Sequence, residues 1–212
     1  MRYIILIFIL LLKNISSFAG DFRWQTGDLL FQMGAPSGIS DAVAQVTTGK
    51  DRDYTHVGIV VVENDSVFVL EAAIPYVCKT PLAVYLSRSA MHDGRPVAAA
   101  ARLKPPYRHA IPQAITRARQ CIGKPYDYVY DAHNDAYYCS ELVHVSFLDE
   151  AGNPLFKSVN MTFRDPDGNF PAYWIAHFKT HEADIPEGRE GTNPGDMSKS
   201  ERLDFVYFFW KE

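Results

Sequence analysis

Cys139 is the residue whose type and position most favour nucleophilic chemistry in this chain. It stands at the start of residues 139–148, which predict a helix. A helix N-terminus carries about half a positive charge and free backbone N–H groups, and both stabilise a thiolate. The same N–H groups are suited to stabilising the oxyanion of a tetrahedral intermediate. The alternative is a small buried residue that packs against a helix start.

A nucleophilic cysteine needs a general base, and seven histidines compete for that role. His56 differs from the others because it lies within residues 55–62, a β-branched stretch that predicts a strand. A polar side chain in such a strand is costly unless it has a partner. His56 is therefore the candidate base, and a structural histidine satisfied by a hydrogen bond is the alternative.

Glu71 is the one carboxylate within the next predicted strand, residues 67–72. If Asn64-Asp65 forms a two-residue hairpin turn, Gly58 lies opposite Glu71. His56 is then the diagonal neighbour of Glu71 on the same face, where a carboxylate can fix the tautomer of the imidazole and stabilise its charged form. A three-residue turn would instead place the two side chains on opposite faces.

Zinc binding is the competing chemistry near the cysteine. Four residues there are of ligand type, but their spacing matches no zinc pattern: Cys139, His144, His133 and Asp135. The sequence also contains no Gly-rich phosphate loop and no Gly-x-Ser-x-Gly nucleophile elbow. We expect neither a metal nor a cofactor.

Helices and strands must position these residues. Their predicted order along the chain, with helices interleaved among antiparallel strands, indicates an α+β fold. β-Branched and apolar runs predict strands over residues 27–32, 55–62, 67–72, 77–80, 96–103 and 203–210. Apolar residues at helical spacing predict helices over residues 37–46, 82–89, 109–122 and 139–148. Residues 151–199, rich in Pro, Gly and Asp, predict an irregular segment that covers the site.

Residues 1–19 predict a secretory signal peptide. Arg2 precedes ten consecutive apolar residues, about half of the roughly twenty that a membrane span needs. Ser17-Phe18-Ala19 fits the small-x-small cleavage rule, so the mature chain is expected to begin at Gly20. We expect residues 20–212 to form one exported domain, periplasmic or secreted, without stable membrane insertion. A buried N-terminal strand is the alternative for the leader.

The net charge and the number of cysteines further limit the class of protein to which this chain can belong. The chain carries 21 Lys and Arg against 25 Asp and Glu, a net charge of −4, which argues against nucleic-acid binding. Three cysteines are an odd number for an exported chain, so one thiol must stay unpaired or bond elsewhere. If any pair forms a disulfide, we expect Cys78 and Cys121, because a disulfide would block Cys139 as a nucleophile.

Five short motifs follow one another along the chain: Gly27-Asp28-Leu29-Leu30-Phe31, Tyr54-Thr55-His56-Val57-Gly58-Ile59, Leu70-Glu71-Ala72, Gly123-Lys124-Pro125-Tyr126-Asp127 and Tyr137-Tyr138-Cys139-Ser140-Glu141-Leu142-Val143. In this order they resemble the permuted papain-like amidases of the YaeF/YiiX type, within the NlpC-type cysteine hydrolase superfamily. The resemblance implies a circularly permuted papain-like fold in which the histidine precedes the cysteine. It also implies Cys139 as nucleophile, His56 as base and Glu71 as the third polar residue.

Together with the leader, the resemblance implies an exported cysteine hydrolase that cleaves an amide bond. Cell-wall-type peptides are the first substrate class, and N-acyl amides or lipids are the second. Aromatic residues crowd the approach to the cysteine, and the set expected to contact substrate is Tyr126, Tyr128, Tyr138 and Trp174. Packing into the core is the alternative for part of this set. A binding module that kept the fold without catalysis is the alternative from another class.

Overall fold

A computed structural model describes residues 22–47 and 51–211, so the predicted leader lies outside the described residues. Their strands are β1 (Leu29–Gln32), β2 (His56–Glu63), β3 (Ser66–Ala73), β4 (Tyr76–Pro81), β5 (Met91–His92), β6 (Arg95–Pro96), β7 (Ala98–Leu103), β8 (Val159–Asn160), β9 (Glu190–Gly191) and β10 (Leu203–Phe208). Six of them form one sheet in the order β10-β7-β1-β2-β3-β4. Every neighbouring pair in this sheet is antiparallel, as the α+β prediction requires.

The helices of the described residues are α1 (Gly38–Val46), α2 (Leu82–Leu86), α3 (Ile111–Gln120), α4 (Cys139–Ser146), α5 (Ala172–Thr180) and α6 (Pro194–Ser198). Ser37 caps α1 by accepting a hydrogen bond from the backbone N–H of Ser40. A 3-10 turn over Pro105–Ala110 precedes α3, and Pro112 stands in the first turn of that helix. None of these helices is long and apolar enough to cross a membrane.

The two faces of the sheet bury alternate residues of the same strands. On one face, Phe31 and Ile59 pack with Ile115 of α3 and Val143 of α4. On the other, Leu30, Val60 and Val69 pack with Tyr85 and Leu86 of α2. This period of two is the strand pattern that the sequence predicts. It places His56 and Glu71 on the face covered by α2, where the His56 ring lies 5.5 Å from that of Tyr85.

The prediction that residues 151–199 are irregular is wrong in part. They contain α5 and α6, and β8 pairs with β9. Trp174 and Phe178, four residues apart, bury one side of α5 against Phe163. That burial stabilises a helix which the Pro- and Gly-rich composition conceals, because tertiary packing outweighs local propensity.

Candidate active site

The hairpin between β2 and β3 sets the position of the candidate base. Asn64 and Asp65 have φ angles of 47° and 61°, so both residues adopt the left-handed conformation of a two-residue turn. The register runs from Glu63 opposite Ser66 to Ile59 opposite Leu70. Gly58 follows opposite Glu71, and a Cβ built on Gly58 would lie 3.3 Å from that of Glu71. The sequence-based register is therefore confirmed.

Glu71 lies fully buried between two cationic partners. Nε2 of His56 donates to its Oε2 at 2.6 Å, and Nη2 of Arg88 donates to its Oε1 at 2.5 Å. Burial by itself would raise the pKa of Glu71. The hydrogen bond from His56, the charges of His56 and Arg88 and a hydrogen bond from Thr80 outweigh burial and lower this pKa to about 2. Glu71 is therefore ionised at neutral pH.

Cys139 begins α4 and lines the same cavity as His56, and interaction with its thiol is among the causes that raise the pKa of the His56 ring. Because Nε2 of His56 meets Glu71, Nδ1 is the ring nitrogen that remains for the sulfur. Burial lowers the pKa of His56, but hydrogen bonds with Cys139 and Glu71, and their charges, raise it to about 9. The ring is 19% exposed, so it stays accessible from the site. The structure thus brings the three predicted catalytic residues into one continuous chain of contacts.

Arg88 is a site residue that the sequence analysis missed. It follows α2, and its guanidinium also lies over the ring of Tyr85, 5.5 Å from the ring centre. The available signal was Glu71 itself, because a carboxylate buried in a strand usually needs more than one donor. Nothing in the local sequence around residue 88 points to this role.

A cavity of about 610 Å³ opens onto Cys139 and His56. Most of its apolar wall comes from α1 and from the covering segment: Ile39, Val43, Val46, Met161, Phe163 and Trp174. Arg88 is a charged residue on its lining, and no Asp or Glu of the described residues lines it. The arrangement suits a substrate that places an apolar group beside a reactive carbonyl.

Three of the four aromatic residues predicted to contact substrate line the cavity: Tyr126, Tyr138 and Trp174. All three are almost fully buried, so they also belong to the core. Tyr128 does not line the cavity, and its ring stacks on His181 at 4.5 Å between centres. Tyr130 lines it instead, because Asp127 accepts from the N–H groups of Val129 and Asp131 and turns the loop.

The start of α4 is held by a network from the covering segment. The backbone N–H of Thr192 donates to the hydroxyl of Tyr138 at 2.9 Å, and its side chain donates to Ser140 at 3.0 Å. Glu141 accepts from the N–H of Tyr138, and burial raises the pKa of Glu141 to about 8. These contacts fix the backbone N–H of Cys139 with respect to the cavity.

Cys78 lies opposite Glu71 in the β3–β4 register, whereas Cys121, and the residues weighed as metal ligands together with Cys139, lie outside the lining of the cavity. Cys78, Cys121 and Cys139 are all free thiols, and Cys78 lies 3.4 Å from the hydroxyl of Thr80. Nδ1 of His144 contacts the carbonyl oxygen of Phe156 at 2.6 Å. The other two residues weighed as zinc ligands have local partners on the surface: His133 with Asp131, and Asp135 with Lys124.

Comparison with known proteins places this geometry in a family. Residues 23–207 match the model of a family described as permuted papain-like amidase enzymes, YaeF/YiiX, C92 family. The chain belongs to this family. The match confirms the resemblance drawn from the five motifs and supports amide hydrolysis as the general activity.

Two proteins from Escherichia coli are similar to the chain. One, from strain K12 and named uncharacterized protein YiiX, is 32% identical over 148 residues, which are 69% of this chain and 68% of that protein. The other, from strain O157:H7, is a crystal structure described as metalloprotein yiiX. It matches with a TM-score of 0.71 and 24% identity, over 88% of this chain and 98% of that one, which confirms the fold. Among the described residues of this chain, no three His, Cys, Asp or Glu side chains are grouped so as to hold a metal ion.

Proposed function

We propose that this chain is an exported cysteine hydrolase that cleaves an amide bond with Cys139, His56 and Glu71. The observation that carries the proposal is the continuous contact from a buried carboxylate through an imidazole to a thiol at a helix start. Cys139 and His56 both line one cavity. Such a nucleophile, base and orienting group is the arrangement that acyl transfer through a covalent intermediate requires.

The first half of the reaction forms a thioester. The thiolate of Cys139 attacks the substrate carbonyl carbon, a C–S bond forms, and the π electron pair moves to the oxygen. The backbone N–H of Cys139 donates a hydrogen bond to that oxygen. When the pair returns, the C–N bond breaks, and the imidazolium of His56 gives its proton to the leaving amine.

The second half releases the acid. His56, now neutral, takes a proton from water, and the resulting hydroxide adds to the thioester carbon. Collapse of this second intermediate breaks the C–S bond and restores the thiolate and the imidazolium. Glu71 holds the ring in place throughout and stabilises its positive charge, while Arg88 holds Glu71.

The cavity favours one of the two substrate classes. Cell-wall-type peptides carry many polar and charged groups, whereas the wall built from α1 and the covering segment is mainly apolar. Apolar walls of this kind bury an acyl chain well, at about 0.8 kcal/mol for each CH₂ group. We therefore place N-acyl amides first and cell-wall-type peptides second, in the reverse of the order that the sequence favours.

Export rests on the leader pattern of residues 1–19, a basic start, a short apolar core and a small-x-small site. A non-catalytic binding module on the same fold is the competing proposal. The hydrolase and the binding module differ in the reactivity of Cys139, because a binding module has no need of a reactive thiol. Iodoacetamide should label Cys139, which opens onto the cavity, rapidly at neutral pH, while Cys121, which does not line the cavity and whose pKa burial raises, should label slowly.

Substitution of the three residues tests the mechanism. Cys139→Ala and His56→Ala should each remove nearly all turnover, and Glu71→Gln should retain more because orientation is only part of the rate. Release of free amine from N-acyl amino acids and from a muropeptide mixture, measured by mass spectrometry, checks both activity and substrate class. Circular dichroism shows whether each variant folds. A Cys139→Ala enzyme with turnover close to that of the parent would reject the mechanism.

A further inference from the structure

Arg88 has a hydrogen-bonding capacity that its contact with Glu71 does not use. A guanidinium carries five N–H donors, and among the described residues the side chain of Arg88 donates only to Oε1 of Glu71. This side chain is 42% exposed, whereas Glu71 behind it is fully buried. Arg88 also lines the cavity that Cys139 and His56 line. A permanent positive charge is therefore accessible beside the cavity, with donors left to bind an anion.

The guanidinium is held in place before any ligand binds. Its central carbon lies 5.5 Å from the centre of the Tyr85 ring, and the hydrogen bond to Glu71 fixes its orientation. The backbone is held as well, since the N–H of Arg88 donates to the carbonyl oxygen of Tyr85 and its own carbonyl oxygen accepts from the N–H of Ala35. A side chain fixed in this way loses little conformational entropy on binding, which suits it to recognition of a planar carboxylate.

The position of Arg88 indicates which half of the substrate it meets. The leaving nitrogen must lie beside His56, because the imidazolium gives its proton to that atom. His56 and Arg88 are close neighbours, since they contact the two oxygens of the Glu71 carboxylate at 2.6 and 2.5 Å. The apolar wall that suits an acyl group comes from other elements, α1 and the covering segment. A substituent on the leaving nitrogen is therefore the part of the substrate on the side of Arg88.

We propose that Arg88 binds a carboxylate on the amine half of the substrate, so that the enzyme prefers N-acyl amino acids to N-acyl amides of neutral amines. This specificity rests on the proposed function and leaves its reaction steps unchanged. The site admits a second carboxylate because Glu71 is covered and no Asp or Glu of the described residues lines the cavity. Arg88 thus has two roles, since holding Glu71 supports kcat and binding the substrate carboxylate lowers KM.

Two substrates that differ in one group test this preference. N-Octanoylglycine carries the carboxylate, and N-octanoylglycinamide replaces it with a neutral amide of nearly the same shape. The parent enzyme should cleave the first with a kcat/KM about tenfold higher, through a lower KM, because charge-assisted hydrogen bonds are strong. Release of the free amine, measured by mass spectrometry, gives both rates. An equal or lower kcat/KM for N-octanoylglycine would overturn the proposal.

Arg88→Gln removes the positive charge and separates the two roles. It should raise the KM for N-octanoylglycine by about tenfold and leave the KM for N-octanoylglycinamide nearly unchanged. Loss of the hydrogen bond to Glu71 should lower kcat for both substrates to the same extent. Arg119→Gln is the matched control and should change neither KM, because Arg119 also pairs with a glutamate, Glu63, but does not line the cavity. Equal changes in KM for the two substrates would show that Arg88 only holds Glu71.

Binding measurements decide the role of Arg88 without turnover. Cys139→Ala protein, titrated calorimetrically, should bind N-octanoylglycine about tenfold more tightly than N-octanoylglycinamide, and adding Arg88→Gln should remove the difference. Equal affinities in the Cys139→Ala protein would overturn the proposal. If the parent cleaves neither compound while this binding preference is present, the proposed hydrolysis is contradicted and carboxylate recognition by Arg88 is supported. Circular dichroism shows whether Arg88→Gln folds, and if it does not, the comparison of the two compounds without that substitution decides the proposal.

Discussion

Glu71 is the residue on which the electrostatics of the site depend. It is fully buried, yet it is ionised, because His56 and Arg88 each donate to one of its oxygens. A buried charge that loses its partner costs about 3–5 kcal/mol. The pairing therefore does two things, since it makes burial of Glu71 tolerable and it holds the imidazole charged next to Cys139.

The raised pKa of His56 predicts the alkaline limit of activity. Because hydrogen bonds and charges raise this pKa to about 9, the imidazolium persists at neutral pH and is lost as pH rises through about 9. The His56–Glu71 ion pair contributes its full stability below about pH 6.5, which is the ordinary pKa of histidine. This contribution to the free energy of unfolding is lost as pH rises from there through about 9. Amide turnover, in which this imidazolium gives its proton to the leaving amine, should fall in parallel when the initial rate is measured against pH.

Glu71→Gln should move that alkaline limit towards lower pH, because the carboxylate no longer stabilises the charged ring. An exposed carboxylate such as Asp93 serves as the control, and Asp93→Asn should leave the profile unchanged. An identical profile in the Glu71→Gln variant would show that the carboxylate does not set the pKa of His56.

At the scale of elements, one hairpin and one helix start create the site. The two-residue turn at Asn64 and Asp65 places His56 and Glu71 on the same face, and Gly58 leaves the space between them. The first turn of α4 then presents Cys139 beside that face. A slip of one residue in the hairpin would turn Glu71 to the opposite side of the sheet.

Gly58→Ala tests the hairpin. The added Cβ would lie 2.4 Å from Cγ1 of Val69 and 3.3 Å from Cβ of Glu71, so the strands must move apart. We expect the free energy of unfolding to fall by about 1–3 kcal/mol, as overpacked cores show. Urea denaturation measures it, and Val62→Ala, at an exposed position of the same strand, should change it by much less. Unchanged stability and turnover would mean that the strands absorb the methyl group without displacing Glu71.

Trp174→Ala tests the contribution of α5. Trp174 is buried between Phe163 and Tyr130, whereas its neighbour Ile175 is 54% exposed. Deleting the indole should lower the free energy of unfolding by about 3–5 kcal/mol. Ile175→Ala on the same helix should change it by about 0.5 kcal/mol or less, as surface positions do. Equal effects of the two substitutions would contradict the packing described for α5.

At the scale of the whole molecule, the cavity is bounded by parts of the chain that are far apart in sequence. β1 supplies Gln32, β2 supplies His56, α4 supplies Cys139, and the covering segment supplies Trp174 and Thr192. Hydrogen bonds from Thr192 to Tyr138 and Ser140 connect the segment to the two neighbours of Cys139 in the chain. The wall of the cavity and the position of the thiol therefore depend on the same segment.

The leader is a prediction about the whole chain. Protein recovered from the exported fraction of its native host should begin at Gly20, because an apolar core of ten residues precedes Ser17-Phe18-Ala19. N-terminal sequencing by mass spectrometry measures it. Ala19→Phe should block cleavage between residues 19 and 20, because a small-x-small site does not accept a large aromatic side chain. An exported protein that still begins at Met1 would overturn the prediction.

The sequence by itself determined the features that depend on local pattern. Alternating β-branched residues specify the strands around His56 and Glu71, and a two-residue Asn-Asp turn specifies their register. Five motifs in a fixed order specified the family. Each of these signals lies within a few residues of the feature it predicts, so no tertiary information is needed to interpret it.

Only the tertiary structure decided which distant side chains meet. Arg88 reaches Glu71 across 17 positions of sequence, and Gln32 lies opposite His56 because β1 pairs with β2. The turn at Asp127 directs Tyr130 rather than Tyr128 into the cavity, and burial of Trp174 turns part of an apparently irregular segment into a helix. These outcomes follow from packing between elements, and the free energy of such packing depends on neighbours that local sequence does not specify.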